Sequence, residues 1–559
     1  MRTLDRRLLF GWVSALCLAG CGAGAAPPPR APTAEPPPAA SQPLPPPREA
    51  PLELAREPFS VPLDLRSEPA HLMDLPSSEL AAAELPPAPA SVPPPPKSCD
   101  AIVSQKPDKA PACADTARAH AALADALSAP PERLQAALAA LEGCAGLPKG
   151  LVRALRAEHA PPVCGDALVS PVLAKVDASF RPLVVGALQG HVVAARLARL
   201  PTTPPQLEPP FEKQRVLDHI KGPVARWLTE QSDAVEETSR AAQRLTFYGR
   251  ALAALEAGMA DLRMVEAMRA MPVSDEIAKS PELRSVYEGA LEESLDPRKA
   301  RGRDAVLVAL GDFAAVGVLS DPRVTRARSL LAKTYGGRRI DALDALWLPP
   351  IAELKAAGVD QRLALALPTF YAAVLLDPRV AADEATLLAF AHRGVPGPAR
   401  RALATRTTPE ARRLAANLRL RLGQTYWRAF DFDEAATLLR DAEHTGEDGF
   451  LLALALALRG GPENAAAMMR RSPERPLSLG DTRALELLAK GDGPLAGLAA
   501  YDAAVLRELT AAHDAPAAFW DDLAKRYEAA AQRVTLPAWK ARAAAAASSA
   551  RAVQAAVKR

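Results

Sequence analysis

Twenty-three prolines fall in the 77 residues between Gly22 and Ser98, in runs such as Pro27-Pro28-Pro29, Pro45-Pro46-Pro47 and Pro93-Pro94-Pro95-Pro96. Proline has no backbone N–H to donate and fixes φ, so this stretch forms neither helix nor sheet ladder and is expected to be an extended, disordered, solvated tether. In polyproline II, at roughly 3.1 Å per residue, it would reach on the order of 200 Å. Two islands, Pro58–Leu65 and Glu79–Glu84, are richer in apolar residues. They read as chance apolar positions in a linker, with docking onto the body as the alternative. Folded structure is expected only beyond this stretch.

The twenty residues at the start have a basic beginning (Arg2, Arg6, Arg7), an apolar run from Leu8 to Leu16, then small residues. That is the three-part pattern of a secretory leader, and the run is too short to span a bilayer. Its end, Leu18-Ala19-Gly20-Cys21, resembles the lipobox of bacterial lipoproteins. The resemblance implies cleavage before Cys21 and a thioether-linked diacylglycerol on its sulfur, a thiol being readily alkylated at a membrane surface. Gly22 and Ala23 follow, with no acidic residue beside the anchor. By resemblance to the sorting rule of enteric bacteria, this implies the outer membrane.

Apart from Cys17 in the leader and Cys21, the cysteines are Cys99, Cys113, Cys144 and Cys164. An even number clustered in one exported segment reads as two disulfides. Three pairings are open, and loop length alone favours Cys99–Cys113 with Cys144–Cys164. None of the spacings makes a CxxC pair, which argues against zinc.

Beyond Cys113 the pattern is helical. Apolar residues recur at three and four spacing in Ala117-Ala121-Leu123-Leu127, Leu134-Leu138-Leu141 and Leu252-Leu255-Met259-Leu262. Pro131, Pro148, Pro223, Pro281, Pro322, Pro409 and Pro516 stand where a first helical turn tolerates proline. The chain is 49% hydrophobic but 4% aromatic and rich in alanine, which suits thin, closely packed helices and argues against a β-sandwich or barrel. Short helical hairpins bury their apolar stripes by stacking sideways, so the expected fold is all-α, an irregular α-solenoid.

The clearest repeat unit runs from Leu418 to Ala442, with Leu422-Gly423, Tyr426, Ala435, Leu439 and Ala442. These offsets resemble the tetratricopeptide repeat: a small residue where two helices cross, an aromatic filling the hairpin, alanines permitting close approach. Asp431 and Asp433 are expected to cap the second helix. A degenerate second copy is read at Phe450–Met469. Leu319-Ser320-Asp321-Pro322-Arg323-Val324 and Leu376-Asp377-Pro378-Arg379-Val380, with Asp296-Pro297-Arg298 a partial third, read as Asp at the N-cap followed by Pro at the first helical position.

These readings divide the chain into a signal peptide (1–20), a lipid-anchor site and tether (21–98), a disulfide-stapled helical region (99–200), a second helical region (201–360), a tetratricopeptide-like region (361–515) and C-terminal helices (516–559).

Little in the sequence carries chemistry. The eight histidines are scattered, no HExxH, GxSxG, SxxK or P-loop pattern occurs, and neither a metal site nor a cofactor is expected. Glu293-Ser294 is the one pair resembling the catalytic Glu-Ser of lytic transglycosylases, but it runs into Leu295-Asp296-Pro297 and lacks that family's Gly- and Gln-rich segment. Two basic turns are the candidate contacts for an anion or a partner: Arg298, Lys299, Arg301 and Arg303 at an expected helix start, and Arg338 with Arg339 after Gly336-Gly337. The competing reading pairs them internally with Asp304, Asp341 and Asp344. With a formal charge of +3, nothing favours nucleic acid.

The expectation is an exported, lipid-anchored helical scaffold without catalytic activity, binding envelope proteins or peptides, with peptidoglycan as a further partner. The alternative is a glycan-binding protein or an envelope enzyme whose site is assembled from distant residues around Glu256, Asp261, Arg301 and Arg338.

Overall fold

A computed structural model describes residues 85–558 apart from 106–110, 112, 246, 336–341, 377–383, 407, 427, 443, 460–478 and 513. The leader, Cys21, both tether islands, Arg338, Arg339 and the Asp377-Pro378 step lie outside the described residues. Among the described residues the regular structure is helical, with one isolated antiparallel bridge between Val318 and Gly394.

The first helices are α1 (Ser98–Val103), α2 (Thr116–Leu127), α3 (Pro131–Ala139), α4 (Leu151–Glu158), α5 (Gly165–Leu173) and α6 (Pro182–Ala198). Asp115 caps α2 by accepting from the Arg118 N–H at 2.9 Å, and Pro131 and Pro182 occupy first positions. Two disulfides staple this part, but they pair as Cys99–Cys164 and Cys113–Cys144, not between sequence neighbours. The reason is the hairpin: α2 and α3 run back on each other, so Cys113 before and Cys144 after them meet, while α1 lies against α5 and brings Cys99 to Cys164. Loop length cannot see that return.

The proline-rich segment does not stay solvated up to Ser98. Val92 is buried, and Arg196 and Arg199 near the end of α6 donate to the carbonyls of Pro86 and Pro93, each at 2.8 Å. Proline lacks a donor but keeps its carbonyl, so cationic side chains are its natural partners.

Next come α7 (Lys213–His219), α8 (Ala225–Ala242), α9 (Phe247–Arg269), α10 (Asp275–Lys279), α11 (Pro281–Val316) and α12 (Pro322–Tyr335). Pro223 starts no helix: it sits in a single π turn, Ile220–Val224, that joins α7 to α8. Pro297 likewise lies inside α11, so the basic run after it is mid-helix rather than at a helix start. Proline inside a helix costs about 3 kcal/mol, offset here by the packing of α11 along α9. That contact is backbone to backbone at glycines. A Cβ on Gly258 would stand 2.6 Å from the Gly302 carbonyl oxygen, and one on Gly249 would stand 2.2 Å from that of Gly186 in α6. Helix α9, buried along most of its length, is thus clamped between α6 and α11.

The remaining helices are α13 (Val359–Ala366), α14 (Thr369–Leu376), α15 (Glu384–Ala391), α16 (Gly397–Ala404), α17 (Pro409–Tyr426), α18 (Ala429–Leu438), α19 (Gly446–Leu458), α20 (Arg483–Lys490), α21 (Ala496–Leu509), α22 (Ala517–Arg533) and α23 (Pro537–Val557). From α17 onward each packs on its sequence neighbour. Earlier helices also meet distant ones: α13 packs on α2, and Arg362 pairs with Asp125 at 2.8 Å. One apolar cluster runs from Val92 to Ala550, so the four regions expected between 99 and 559 share a core. In α23 the alanine run turns Ala543, Ala547 and Ala550 inward, and Arg551 anchors the helix to Asp521 and Glu528 of α22.

Candidate functional site

The α17–α18 hairpin realises the crossing expected of Gly423. A Cβ there would lie 2.3 Å from the Phe432 ring, and buried Tyr426 donates its hydroxyl to the Val318 carbonyl at 2.7 Å. Asp431 caps nothing: it is fully buried and held by Arg419 and Arg428, each at 2.9 Å, while Asp433 faces Arg459 at 3.2 Å. Its position at the first turn placed it within reach of two guanidiniums, which outcompete backbone N–H groups for a carboxylate. Between α18 and α19 lies a cleft of about 240 Å³ with Ala436, Leu452 and Leu456 on its walls and Asp433, Arg440 and Arg459 around it.

The candidate cations of α11 are internally paired. Arg301, 2% exposed, forms a two-pronged bond to Asp261 of α9 (Nε–Oδ2 2.6 Å, Nη2–Oδ1 2.5 Å) and reaches Ser232 of α8. Arg298 is buried beside it, 3.5 Å from the same carboxylate. Lys299 sits 3.1 Å from Glu292 and also pairs with Asp296; Arg303 turns onto Asp304 at 2.9 Å. None of the four is open to an external anion as expected: helix α11 continues through Pro297 and rolls this run against α8 and α9. Of the alternative set, Asp261 and Arg301 do meet, whereas Glu256, five positions earlier on α9, faces Arg263 and Arg326 instead. Of the other two expected partners, Asp344 pairs with Arg328 at 2.8 Å and Asp341 lies outside the described residues.

The densest polar centre is one the sequence reading missed. Glu158, the last residue of α4, is nearly sealed from solvent and receives the Tyr248 hydroxyl at 2.8 Å (α9), the Arg323 guanidinium (α12) and His191 Nε2 at 3.2 Å (α6). Tyr371 of α14 stands 3.5 Å from the carboxylate and 3.0 Å from His191 Nε2. Arg323 is also gripped by Asp321, whose carboxylate accepts from the Arg323 backbone N–H (2.8 Å), Nε (2.9 Å) and Nη2 (2.6 Å). Asp321-Pro322 is thus the expected N-cap with a second task. Phe370 stacks on Tyr248 with ring centroids 4.2 Å apart, and the Arg323 guanidinium lies over the Tyr248 and Phe313 rings.

Burial alone would raise the Glu158 pKa, but Arg323 and His191 overcome it and hold the carboxyl far below the usual range. Burial, reinforced by the Glu158 charge, pushes both tyrosines well above their ordinary pKa, so their hydroxyls stay protonated donors. The carboxylate is saturated by the chain's own donors. What the arrangement does is join five helices through one charge, and Arg323, with 23% of its side chain exposed, is its most exposed member. The exposed Asp481-Thr482-Arg483 step repeats the Asp321–Arg323 side-chain contact, though here Thr482 is the N-cap; Arg483 Nε and Nη2 lie 2.9 and 2.6 Å from Asp481, and among the described residues the pair ties in no side chain from across the fold.

Among the described residues no group of three or more His, Cys, Asp or Glu side chains is placed to hold a metal ion, and no helix is long and apolar enough to cross a membrane. Comparison with known proteins finds no matching family model, no matching curated protein and no matching solved structure.

Proposed function

We propose that this chain is an exported helical-repeat protein, lipid-anchored at Cys21 in the outer membrane, that serves as a protein–protein interaction scaffold in the cell envelope. The observation that carries the reading is the cleft between α18 and α19, beside a hairpin whose Gly423–Phe432 crossing is of tetratricopeptide kind. An apolar floor with charges of both signs at its edge fits an amphipathic helix or peptide of an envelope partner. The two disulfides agree with an oxidising compartment, and the Leu18–Cys21 lipobox supplies the anchor.

The test is proximity capture from intact envelopes, comparing the native chain with Cys21→Ala and with Leu456→Asp, a change at a half-buried cleft position. Envelope proteins that vanish from the captured set in both variants support the scaffold. Recovery of peptidoglycan fragments alone, or an identical set in all three, overturns it.

A further inference from the structure

The cleft between α18 and α19 has a direction. Its two helices run antiparallel, since Asp433 in the first half of α18 meets Arg459, just past the end of α19, at 3.2 Å. Each contributes a stripe of residues three or four positions apart, which share one helix face. Asp433, Ala436 and Arg440 come from α18 and the turn after it, and Leu452, Leu456 and Arg459 from α19. Laid antiparallel, these stripes place the Asp433–Arg459 ion pair at one end, Ala436 and Leu456 in the middle, and Arg440 toward Leu452 at the other end, where the chain turns through His444.

The charges at the two ends are not alike. At the first end both side chains are 53% exposed and each has the other as counterion. At the turn, Arg440 is exposed, and among the described residues its guanidinium meets no carboxylate. His444 beside it donates from Nε2 to the Arg440 carbonyl at 3.3 Å and supplies no counter-charge. The cleft holds about 240 Å³, below the roughly 300 Å³ at which small-molecule pockets begin, so its size suits the side chains of a larger partner. We propose, on the footing of the scaffold reading above, that the cleft receives an acidic amphipathic helix, with apolar side chains set among Ala436, Leu452 and Leu456 and a carboxylate one turn away on the Arg440 guanidinium. A basic helix would meet Arg440 as a like charge and find Asp433 already paired with Arg459. The apolar contact supplies the affinity, while Arg440 selects the partner's charge and fixes which end of it lies at the turn.

Selection on the full chain from a display library of randomised helical peptides tests this. The expected result is enrichment of sequences with Asp or Glu three or four positions from a pair of apolar residues, lost in Leu456→Asp. In Arg440→Glu, a reversal at an exposed position, the selected charge inverts to Lys or Arg. For one selected peptide followed by fluorescence anisotropy, changing its acid to the amide weakens binding by about tenfold in the native chain and leaves it unchanged in Arg440→Met. Enriched peptides without a charge preference, or with the same charge in Arg440→Glu, overturn this proposal and leave the scaffold reading standing. No enrichment above that of Leu456→Asp overturns both.

Discussion

Two buried carboxylate centres lie within one helical body and are built to different ends. Asp261 is bonded along one side by Arg301, with Arg298 beside it, and all three sit between α8, α9 and α11, helices close together in the chain. Glu158 stands at a helix end, is shared by Arg323, His191 and Tyr248, and collects α4, α6, α9, α12 and α14. The first centre neutralises charges that helix packing has buried. The second spends one charge to tie together elements that the chain order keeps apart. A permanent ion pair suffices for the first, whereas the second adds an imidazole and two phenol hydroxyls gathered around one carboxylate.

The comparison can be broken first at Asp261. Arg301→Met strands an acid that is 1% exposed and is expected to cost about 3–5 kcal/mol in urea unfolding, with Asp261→Leu added on top restoring most of it. A loss below about 1 kcal/mol would mean that Arg298 alone satisfies the acid. Glu158→Gln is expected to cost about 2–3 kcal/mol at neutral pH. Because the Glu158 pKa is depressed in the fold, its contribution is present above the ordinary glutamate value of about 4.3 and is lost as pH falls below it. The native chain should therefore lose stability more steeply than Glu158→Gln below that pH; parallel curves would deny the centre its charge. Tyr371→Phe deletes the hydroxyl beside His191 and should cost about 0.5–1.5 kcal/mol. Arg483→Ala, which removes the exposed Asp481–guanidinium contact but keeps the backbone N–H that Asp481 accepts, should leave the unfolding midpoint within experimental scatter, and a clear shift would show that this contact matters without a buried partner.

Local signals were legible. The all-helical body, prolines at the first positions of α3, α11, α12 and α17, the cap at Asp321 and the small residue at the Gly423 crossing follow from short-range patterns, and the existence of two disulfides from an even count of cysteines. What escaped depends on the return of the chain. Cysteine pairing is decided by the α2–α3 hairpin, and Pro297 reads as a helix start until α9 is there to hold α11 straight. The Glu158 centre joins residues as far as 213 apart in sequence, from Glu158 to Tyr371. One signal was available: His191 stands in the apolar α6 run Val184–Ala195, where an imidazole needs a buried partner.

The pinned end of the proline-rich segment also decides how the protein answers to pulling. Tension applied from the N-terminal side enters the body first at the Pro86 and Pro93 carbonyls, where two arginine side chains can be peeled away one after the other. The next obstacle is Cys99, and there the strain passes through a covalent bridge to Cys164 at the start of α5. Under oxidising conditions a tug therefore peels the segment ahead of Cys99 and then loads α1 and the start of α5 together through the bridge. Once the bridge is reduced, the same tug would draw α1 off α5 and reach the packed helices behind it.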